Sequence, residues 1–477
     1  MFFGRENDLK QLESLWRKST ASLVTCRGRR RIGKSTLIEE FARRSGARFL
    51  KLEGTAPEPR MDNLDQLEDF RGQLSRLAGA EIPVLTSWGQ AFAELDHVVG
   101  SGRTVLLLDE ISWMGRYDAG FPGELKVAWD NLFKKHPELI VFLCGSVSTW
   151  IAKNILNNTG FVGRASLNIV VRELPLAECV KFWGAKADRL ASAEILDVLS
   201  VTGGVPRYLE EVDPGLPAAE NIRRMCFSAN ALLRDDFNRT FNVVFGAAAV
   251  AKRNILKLLA EGPLTLSEVC MGLGVARNGG VGDHLSDLET AGFIAKDVGF
   301  NPVTGRELKI CRYRLCDNYA RFFLKYIEPN GRMIDAGSFL FNSLDALPGW
   351  SAILGLQFEN MVANNLSYLL PRLGLRNVLL KSGAPYRQAP TARRRGCQID
   401  LLLVADRLLY VVEIKRRREI GLEVEEEVAA KVKALGAPAG FSVRTALVYD
   451  GHLSPQIPAR GYFDALVPVS ELMGRGV

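Results

Sequence analysis

Leu23-Val24-Thr25-Cys26-Arg27-Gly28-Arg29-Arg30-Arg31-Ile32-Gly33-Lys34-Ser35-Thr36 is the stretch whose reading decides the fold of the first half of this chain. A short apolar run leads into Gly28, four residues follow, and Gly33-Lys34-Ser35 opens the helical pattern Leu37-Ile38-Glu39-Glu40-Phe41. A strand, a glycine-bounded loop and a helix in that order make a phosphate-binding loop. Glycine at both ends lets the backbone wrap closely, so that successive N–H groups point at phosphate oxygens. The helix N-terminus adds the positive end of its dipole. Lys34 reaches the β- and γ-phosphates, the Ser35 hydroxyl is a ligand for Mg²⁺, and Thr36 completes the nucleotide-binding set. The stretch predicts that ATP or GTP binds here.

Working outward, Thr104-Val105-Leu106-Leu107-Leu108-Asp109-Glu110 is apolar on both faces and ends in two carboxylates. Such a run is a buried parallel strand, and its C-terminal edge is where doubly wound sheets bind ligands. There Asp109 is placed to hold Mg²⁺, and Glu110 to orient and deprotonate the attacking water. A second buried strand, Leu139–Cys144, ends in Gly145-Ser146, which makes Ser146 a candidate γ-phosphate sensor. Arg164 follows Gly163, ahead of the strand-like Leu167–Val171; by spacing alone it reads as a surface charge.

The chain has 477 residues, 47% of them hydrophobic, and a net charge of +7, enough for roughly three cored domains. That mild basicity fits an anionic partner without requiring one. Eight cysteines are scattered without a CxxC pair, which reads as reduced thiols rather than a disulfide framework or zinc site. No apolar run approaches ~18 residues and the N-terminus lacks a signal-peptide pattern. The expectation is a cytoplasmic protein with no membrane partner.

Phe3-Gly4-Arg5-Glu6, the Gly28–Ser35 loop, Leu108-Asp109-Glu110, Cys144-Gly145-Ser146, Gly163-Arg164 and Gly203-Gly204-Val205-Pro206 occur in an order that resembles the archaeal-type ATPases. These belong to the signal-transduction (STAND) branch near the AAA+ class, and the resemblance covers about residues 1–330. It implies ATP rather than GTP. It also implies that Arg164 is an arginine finger or sensor, and that Gly4, Arg5 and the turn ending at Pro206 line the adenine side. The three successive arginines Arg29-Arg30-Arg31 have no explanation at this level.

Residues 176–245 read as a small helical lid, with Arg234–Arg239 a solvated charged face. From Lys252 a three-helix pattern appears: Ile255, Leu256 and Leu259 on one face, a short second helix over Ser267–Gly274, and a third carrying Val281, Leu285 and Leu288. Phe293-Ile294 and Tyr313-Arg314-Leu315 are two wing strands around an Asn301–Gly305 turn, so 246–327 is a winged helix-turn-helix. Its third helix would enter the major groove of DNA. That helix carries Asp283, Asp287 and Glu289 and no lysine or arginine, which opposes phosphate contact. The wing is more basic, with Lys296, Arg306, Lys309, Arg312 and Arg314, so DNA contact and protein packing both stay open.

Residues 328–349, rich in Pro, Gly and Ser, read as a linker. Beyond them Gln398–Val404 and Leu408–Lys415 form a hairpin centred near Asp406, which puts Asp400 opposite about Val412 and beside Glu413. Glu413 and Lys415 share one strand face. Two acids suit Mg²⁺ and a lysine can activate water or stabilise charge on a phosphate; Glu359 on the preceding helix is a third acid. This arrangement resembles the restriction-endonuclease-like PD-(D/E)xK superfamily over about 350–450, with Asp400, Glu413 and Lys415 at the motif positions. Two surface acids and a lysine on a hairpin is the bland alternative. The basic runs Arg393–Arg395 and Lys415–Arg418 flank the acids, which favours a nucleic-acid backbone, while Glu423–Glu427 reads as a solvated acidic helix.

The expected architecture is α/β: a P-loop NTPase parallel sheet at 1–175 with a helical lid at 176–245, a winged helix-turn-helix at 246–327, a linker at 328–349, and an α/β nuclease-like domain at 350–477. The expected function is an ATP-binding and hydrolysing switch acting on DNA, with a Mg²⁺-dependent nuclease activity in the C-terminal domain. The alternative is a non-catalytic DNA-binding or protein-scaffold regulator whose nuclease-like domain only binds. Candidate partners beyond ATP and DNA are a second copy of the chain or a regulatory protein.

Overall fold

Strands that are apolar on both faces pair side by side and need cover above and below, and the first 173 residues supply both. The computed structural model describes residues 2–475 except 147, 278, 342 and 389–395. They form two compact units, Met1–Glu173 and Leu174–Val477.

In the first unit, β1 (Ser22–Arg27), β2 (Arg48–Glu53), β3 (Thr104–Asp109), β4 (Leu139–Gly145) and β5 (Ala165–Val170) make one all-parallel sheet in the order β2-β3-β4-β1-β5. Strands β3 and β4 are buried along their whole length, as continuous apolar runs demand. Beneath them a cluster of aromatic side chains, with Trp88 edge-on to Phe121 at 4.9 Å between centroids, anchors the Trp88–Val99 and Phe121–Asn131 helices. The chain leaves β1, turns through the Gly28–Gly33 loop and enters the Lys34–Ser45 helix at the sheet's C-terminal edge. The parallel α/β fold expected from the buried runs is the fold observed.

The second unit begins with short helices over residues 176–245 and continues into the winged module. Its three helices are Ala249–Ala260, Leu266–Gly272 and Gly279–Thr290, with Ile255, Leu256, Leu259, Val269, Leu285 and Leu288 closing the core between them. The middle helix starts with a capping box: Thr265 accepts from the Glu268 N–H and Glu268 accepts in return. Strands β6 (Ile294–Phe300) and β7 (Glu307–Leu315) form the antiparallel wing. A separate sheet follows in the order β12-β11-β10-β9-β8, from β8 (Ser382–Gln388), β9 (Cys397–Ala405), β10 (Leu408–Ile420), β11 (Ser442–Leu453) and β12 (Ala465–Pro468). β9 is antiparallel to both neighbours, whereas β10, β11 and β12 run parallel. The winged module and the separate α/β sheet therefore both follow the P-loop sheet.

Three readings of the sequence need correction. The stretch 328–349 is packed rather than a free connection: it holds the Gly331–Asp335 helix, and Phe339 and Phe341 lie 5.0 and 5.2 Å from the Phe227 ring. Its apolar aromatics outweighed the Pro and Gly punctuation. Within Arg234–Arg239, Asp236 is 2% exposed and accepts the Tyr208 hydroxyl at 2.5 Å. Glu423–Glu427 is not a free acidic face either, since Glu425 is buried and Glu427 pairs with Lys415 at 2.8 Å.

Candidate functional site

At the C-terminal edge of the parallel sheet, the loop geometry explains its residues one by one. Gly28 has φ +152°, and a Cβ there would meet the Val171 carbonyl oxygen at 2.4 Å, so only glycine lets the loop pass that strand end. Gly33 has φ +85° at the helix start. Among the described residues five that are not glycine also have positive φ, and three of them, Arg5 (65°), Arg31 (67°) and Glu110 (46°), sit around this loop or the end of β3. Backbone held in sparsely populated regions concentrates at functional sites.

The side chains converge accordingly. Lys34 is buried and donates to the Gly28 and Arg29 carbonyls at 3.0 and 3.2 Å, folded back along the loop it serves. The Ser35 hydroxyl donates to Asp109 Oδ2 at 2.6 Å, and Lys51 lies 3.3 Å from the same oxygen. Ser35 and Asp109 thus pair a hydroxyl with a carboxylate, the hard oxygen set that Mg²⁺ takes beside a nucleotide phosphate. Glu110, 8% exposed, is held at the next position by Ser146, whose N–H and hydroxyl both donate to its Oε2 at 3.0 and 2.9 Å. Thr36 is exposed one residue beyond Ser35.

Arg5, after left-handed Gly4, donates to the Ile32 carbonyl at 3.1 Å, so the N-terminal segment grips the loop from outside. The three arginines also separate. Arg29 pairs with Glu173 at 3.1 Å, Arg30 stacks its guanidinium 5.7 Å from the Trp113 ring centre, and Arg31 takes the left-handed turn. None of that was visible in the sequence, because each partner lies far away along the chain. Arg164 forms a two-pronged pair with Asp130, both contacts 2.8 Å, and Lys126 joins at 2.9 Å. Pro206 opens a short helix in the second unit.

The second candidate set lies on β9 and β10. Leu401 pairs with Val412, one position from the expected register, which carries Asp400 alongside Glu413. Asp400 Oδ2 accepts the Ile414 N–H at 2.9 Å. Glu413 is fully buried and its carboxylate is taken up by two ammonium groups: Lys415 at 2.8 Å and Lys431, which also lies 3.8 Å from Asp400. Lysines therefore supply the positive charge that a metal ion would bring. Among the described residues no group of three or more His, Cys, Asp or Glu is gathered to hold a metal.

Burial first, and then the Asp400 charge, raise the Glu359 carboxyl to about 7; burial followed by the Glu413 charge raises Asp400 to about 6. Acids whose pKa is higher folded than unfolded bind more protons in the folded state between those values, so stability falls as pH rises through the window. The second unit is expected to lose stability between about pH 4 and pH 7, measured by urea unfolding across pH, and Glu359→Gln is expected to flatten that slope. An unchanged slope in the variant would rule the mechanism out.

The basic runs meet different fates. Arg393–Arg395 lie outside the described residues. Lys415–Arg418 is not an open patch: Arg416 pairs with Asp197 at 2.6 Å and Asp450 at 3.1 Å, and Arg417 with Glu423 at 3.4 Å. In the wing, Arg314 is buried against Asp297 at 3.0 Å and Arg312 pairs with Glu268 at 2.9 Å. Lys252, buried on the first helix of the module, pairs with Asp287 of the third at 2.9 Å. Phe300, 2% exposed, packs with Tyr386, Ile399 and Val404 in the core of the C-terminal sheet, so one end of the wing is built into that domain.

Residues 2–212 match the family described as an ATPase domain predominantly from Archaea, and residues 250–296 match bacterial regulatory proteins of the arsR family. An uncharacterized protein of Methanocaldococcus jannaschii is 24% identical over 419 residues, covering 87% of this chain and 87% of that protein. An uncharacterized ATP-binding protein of the same organism is 44% identical over 41 residues, 9% of this chain and 70% of that protein. Among solved structures, the Walker-type ATPase of Pyrococcus abyssi is 16% identical with a TM-score of 0.46, over 68% of this chain and 96% of its own. The Aeropyrum pernix ORC2 protein is 14% identical with a TM-score of 0.39, over 70% and 95%. Residues 2–212 are thus similar to archaeal-type ATPase domains, and residues 250–296, which follow them, to helix-turn-helix modules of the arsR family. No helix among the described residues is long and apolar enough to cross a membrane.

Proposed function

We propose that this chain is an ATP-hydrolysing switch whose nucleotide state controls a DNA-contacting second unit. The observation that carries the reading is the convergence of Lys34, Ser35, Asp109, Glu110 and Ser146 at one sheet edge, held by the Ser35–Asp109 and Ser146–Glu110 hydrogen bonds. In it, Lys34 leaves the loop carbonyls for the β- and γ-phosphates, and Ser35 with Asp109 holds Mg²⁺, which neutralises phosphate charge when bound. Glu110 takes the proton of the attacking water, and Ser146 holds that carboxylate in place. Gly4 and Arg5 line the adenine side, and Arg164 exchanges Asp130 for phosphate charge within its own chain or from a second copy.

The DNA clause draws support from the helix-turn-helix match and from the exposed wing cations Lys296 and Lys309. The paired state of Arg312, Arg314 and Lys415–Arg417 supports the regulator reading of the C-terminal domain over a nuclease. The adjacency of Asp400, Glu413 and Lys415 keeps nuclease activity as the second reading.

Steady-state ATP hydrolysis with Mg²⁺, with and without duplex DNA, tests the switch; absence of turnover in both would sink it. DNA retention is expected to weaken with salt with a log–log slope of about −0.9 for each phosphate neutralised, and to differ between ATP and ADP. Retention that ignores both salt and nucleotide would leave a protein-only switch. Nicking of plasmid that needs Mg²⁺ and disappears in Asp400→Ala would reinstate the nuclease.

A further inference from the structure

Asp109 already faces a cation of the chain's own. Its side chain is 6% exposed, and both of its oxygens are engaged. Oδ1 accepts the Glu110 N–H at 3.1 Å, whereas Oδ2 accepts the Ser35 hydroxyl at 2.6 Å and faces the Lys51 ammonium at 3.3 Å. A carboxylate so buried needs an opposite charge, and Lys51 supplies it. The same Oδ2, together with the Ser35 hydroxyl, is the oxygen pair suited to Mg²⁺. Two cations on one oxygen repel each other, so a metal ion and Lys51 compete for it.

Strand β2 provides a second station for the ammonium. Lys51 and Glu53 are two residues apart on one strand face, and the Glu53 carboxylate lies 3.0 Å from Lys51 Nζ. Glu53 stands in register with Asp109 across β2 and β3, and the Gly54 N–H donates to the Asp109 carbonyl at 2.9 Å. Gln73, from the Asn63–Ala78 helix, accepts the Glu53 N–H and donates to the Glu53 carbonyl, both at 2.8 Å. The backbone that carries Glu53 is therefore pinned from two sides, and its half-exposed carboxylate stays within reach of Lys51.

We propose that Lys51 is a positioning residue that sets the metal requirement of the nucleotide site: it neutralises Asp109 in the metal-free state, and Mg²⁺ binding passes its ammonium to Glu53. This role rests on the nucleotide-site reading above and deepens it. Metal-free nucleotide then meets a neutralised Asp109 rather than a bare carboxylate. Mg²⁺ in turn must displace an ammonium, and so tightens the nucleotide less than it would beside an unpaired acid.

ADP binding by the full chain, titrated calorimetrically in excess Mg²⁺ and again in EDTA, gives the factor by which Mg²⁺ tightens ADP. Lys51→Met is expected to raise that factor about tenfold, the scale of one charge-assisted contact. Lys51→Arg keeps the cation and is expected to hold the factor near that of the parent. Glu53→Gln removes the second station, leaves the ammonium on Asp109, and is expected to lower the factor severalfold. A purely structural role for Lys51 would move Lys51→Met and Glu53→Gln in the same direction. An equal factor in the parent and Lys51→Met, or a factor raised in both Lys51→Met and Glu53→Gln, overturns the role of Lys51 and leaves the nucleotide site standing. A parent chain that binds no ADP up to millimolar concentration in either condition overturns the nucleotide-site reading, and the role of Lys51 with it.

Discussion

Glu110→Gln is expected to lower ATP turnover by about 10²–10⁴-fold while leaving ATP affinity near that of the parent chain. The carboxylate stands one residue past the end of β3, in a left-handed backbone conformation that costs energy for a residue with a Cβ. Two donors from Ser146 fix its Oε2, so a glutamine there keeps size and position but loses the basic oxygen. Ser146→Ala, which removes one of those donors, is expected to fall between the two. Lys34→Ala is the contrasting variant: it removes the ammonium that neutralises phosphate, so both binding and turnover fall. Single-turnover hydrolysis with a separate binding titration distinguishes the two patterns. A Glu110→Gln chain that turns over at the parent rate would remove Glu110 from the chemistry.

Gln357→Leu is expected to destabilise the second unit by about 3–5 kcal/mol, the scale seen when a buried charge loses a partner. Gln357 has no exposed surface, and its amide donates to the Ser200 and Asn318 carbonyls at 2.9 and 2.7 Å. Its oxygen accepts from Arg321 at 2.5 Å; that guanidinium is 1% exposed, and burial and then Arg314 lower it to about 10. Arg321 otherwise donates to the Leu315 carbonyl, which Asn360 also reaches. One helix, Trp350–Asn364, therefore ties the segment of residues 176–245 and the winged module together through the amide side chains of Gln357 and Asn360. Leucine at 357 would strand a guanidinium and two carbonyls at once. Denaturant unfolding followed by a probe within residues 174–477 reads the cost. The double variant with Arg321→Met is expected to lose less than the sum, because it removes the stranded charge. Additive losses would mean that the two side chains do not act together.

The phosphate-binding loop, the two buried strands ending at Asp109 and Ser146, and the three-helix pattern with its wing were legible in the sequence because each is local. Glycine placement, continuous apolar runs and the 3.6-residue period all act within a dozen residues. The hairpin of β9 and β10 was legible to within one residue of register. What could not be read was the fate of charges. Arg416, Arg417 and Lys415 look like a nucleic-acid patch in a row, yet acids at Asp197, Asp450, Glu423 and Glu427 take them up. Arg312 and Arg314 of the wing behaved in the same way.

By itself the sequence determined where the glycine-bounded loop turns between strand and helix and which segments become strand or helix, since those follow from sterics and apolar periodicity along the chain. Only the tertiary structure decided which ionic groups remain available to a ligand. A charge that folding buries must find an opposite charge, and the partner comes from wherever packing brings the chain back. That is why Arg29, Arg30 and Arg31 went to three different surroundings, and why Glu413 lies between two lysines.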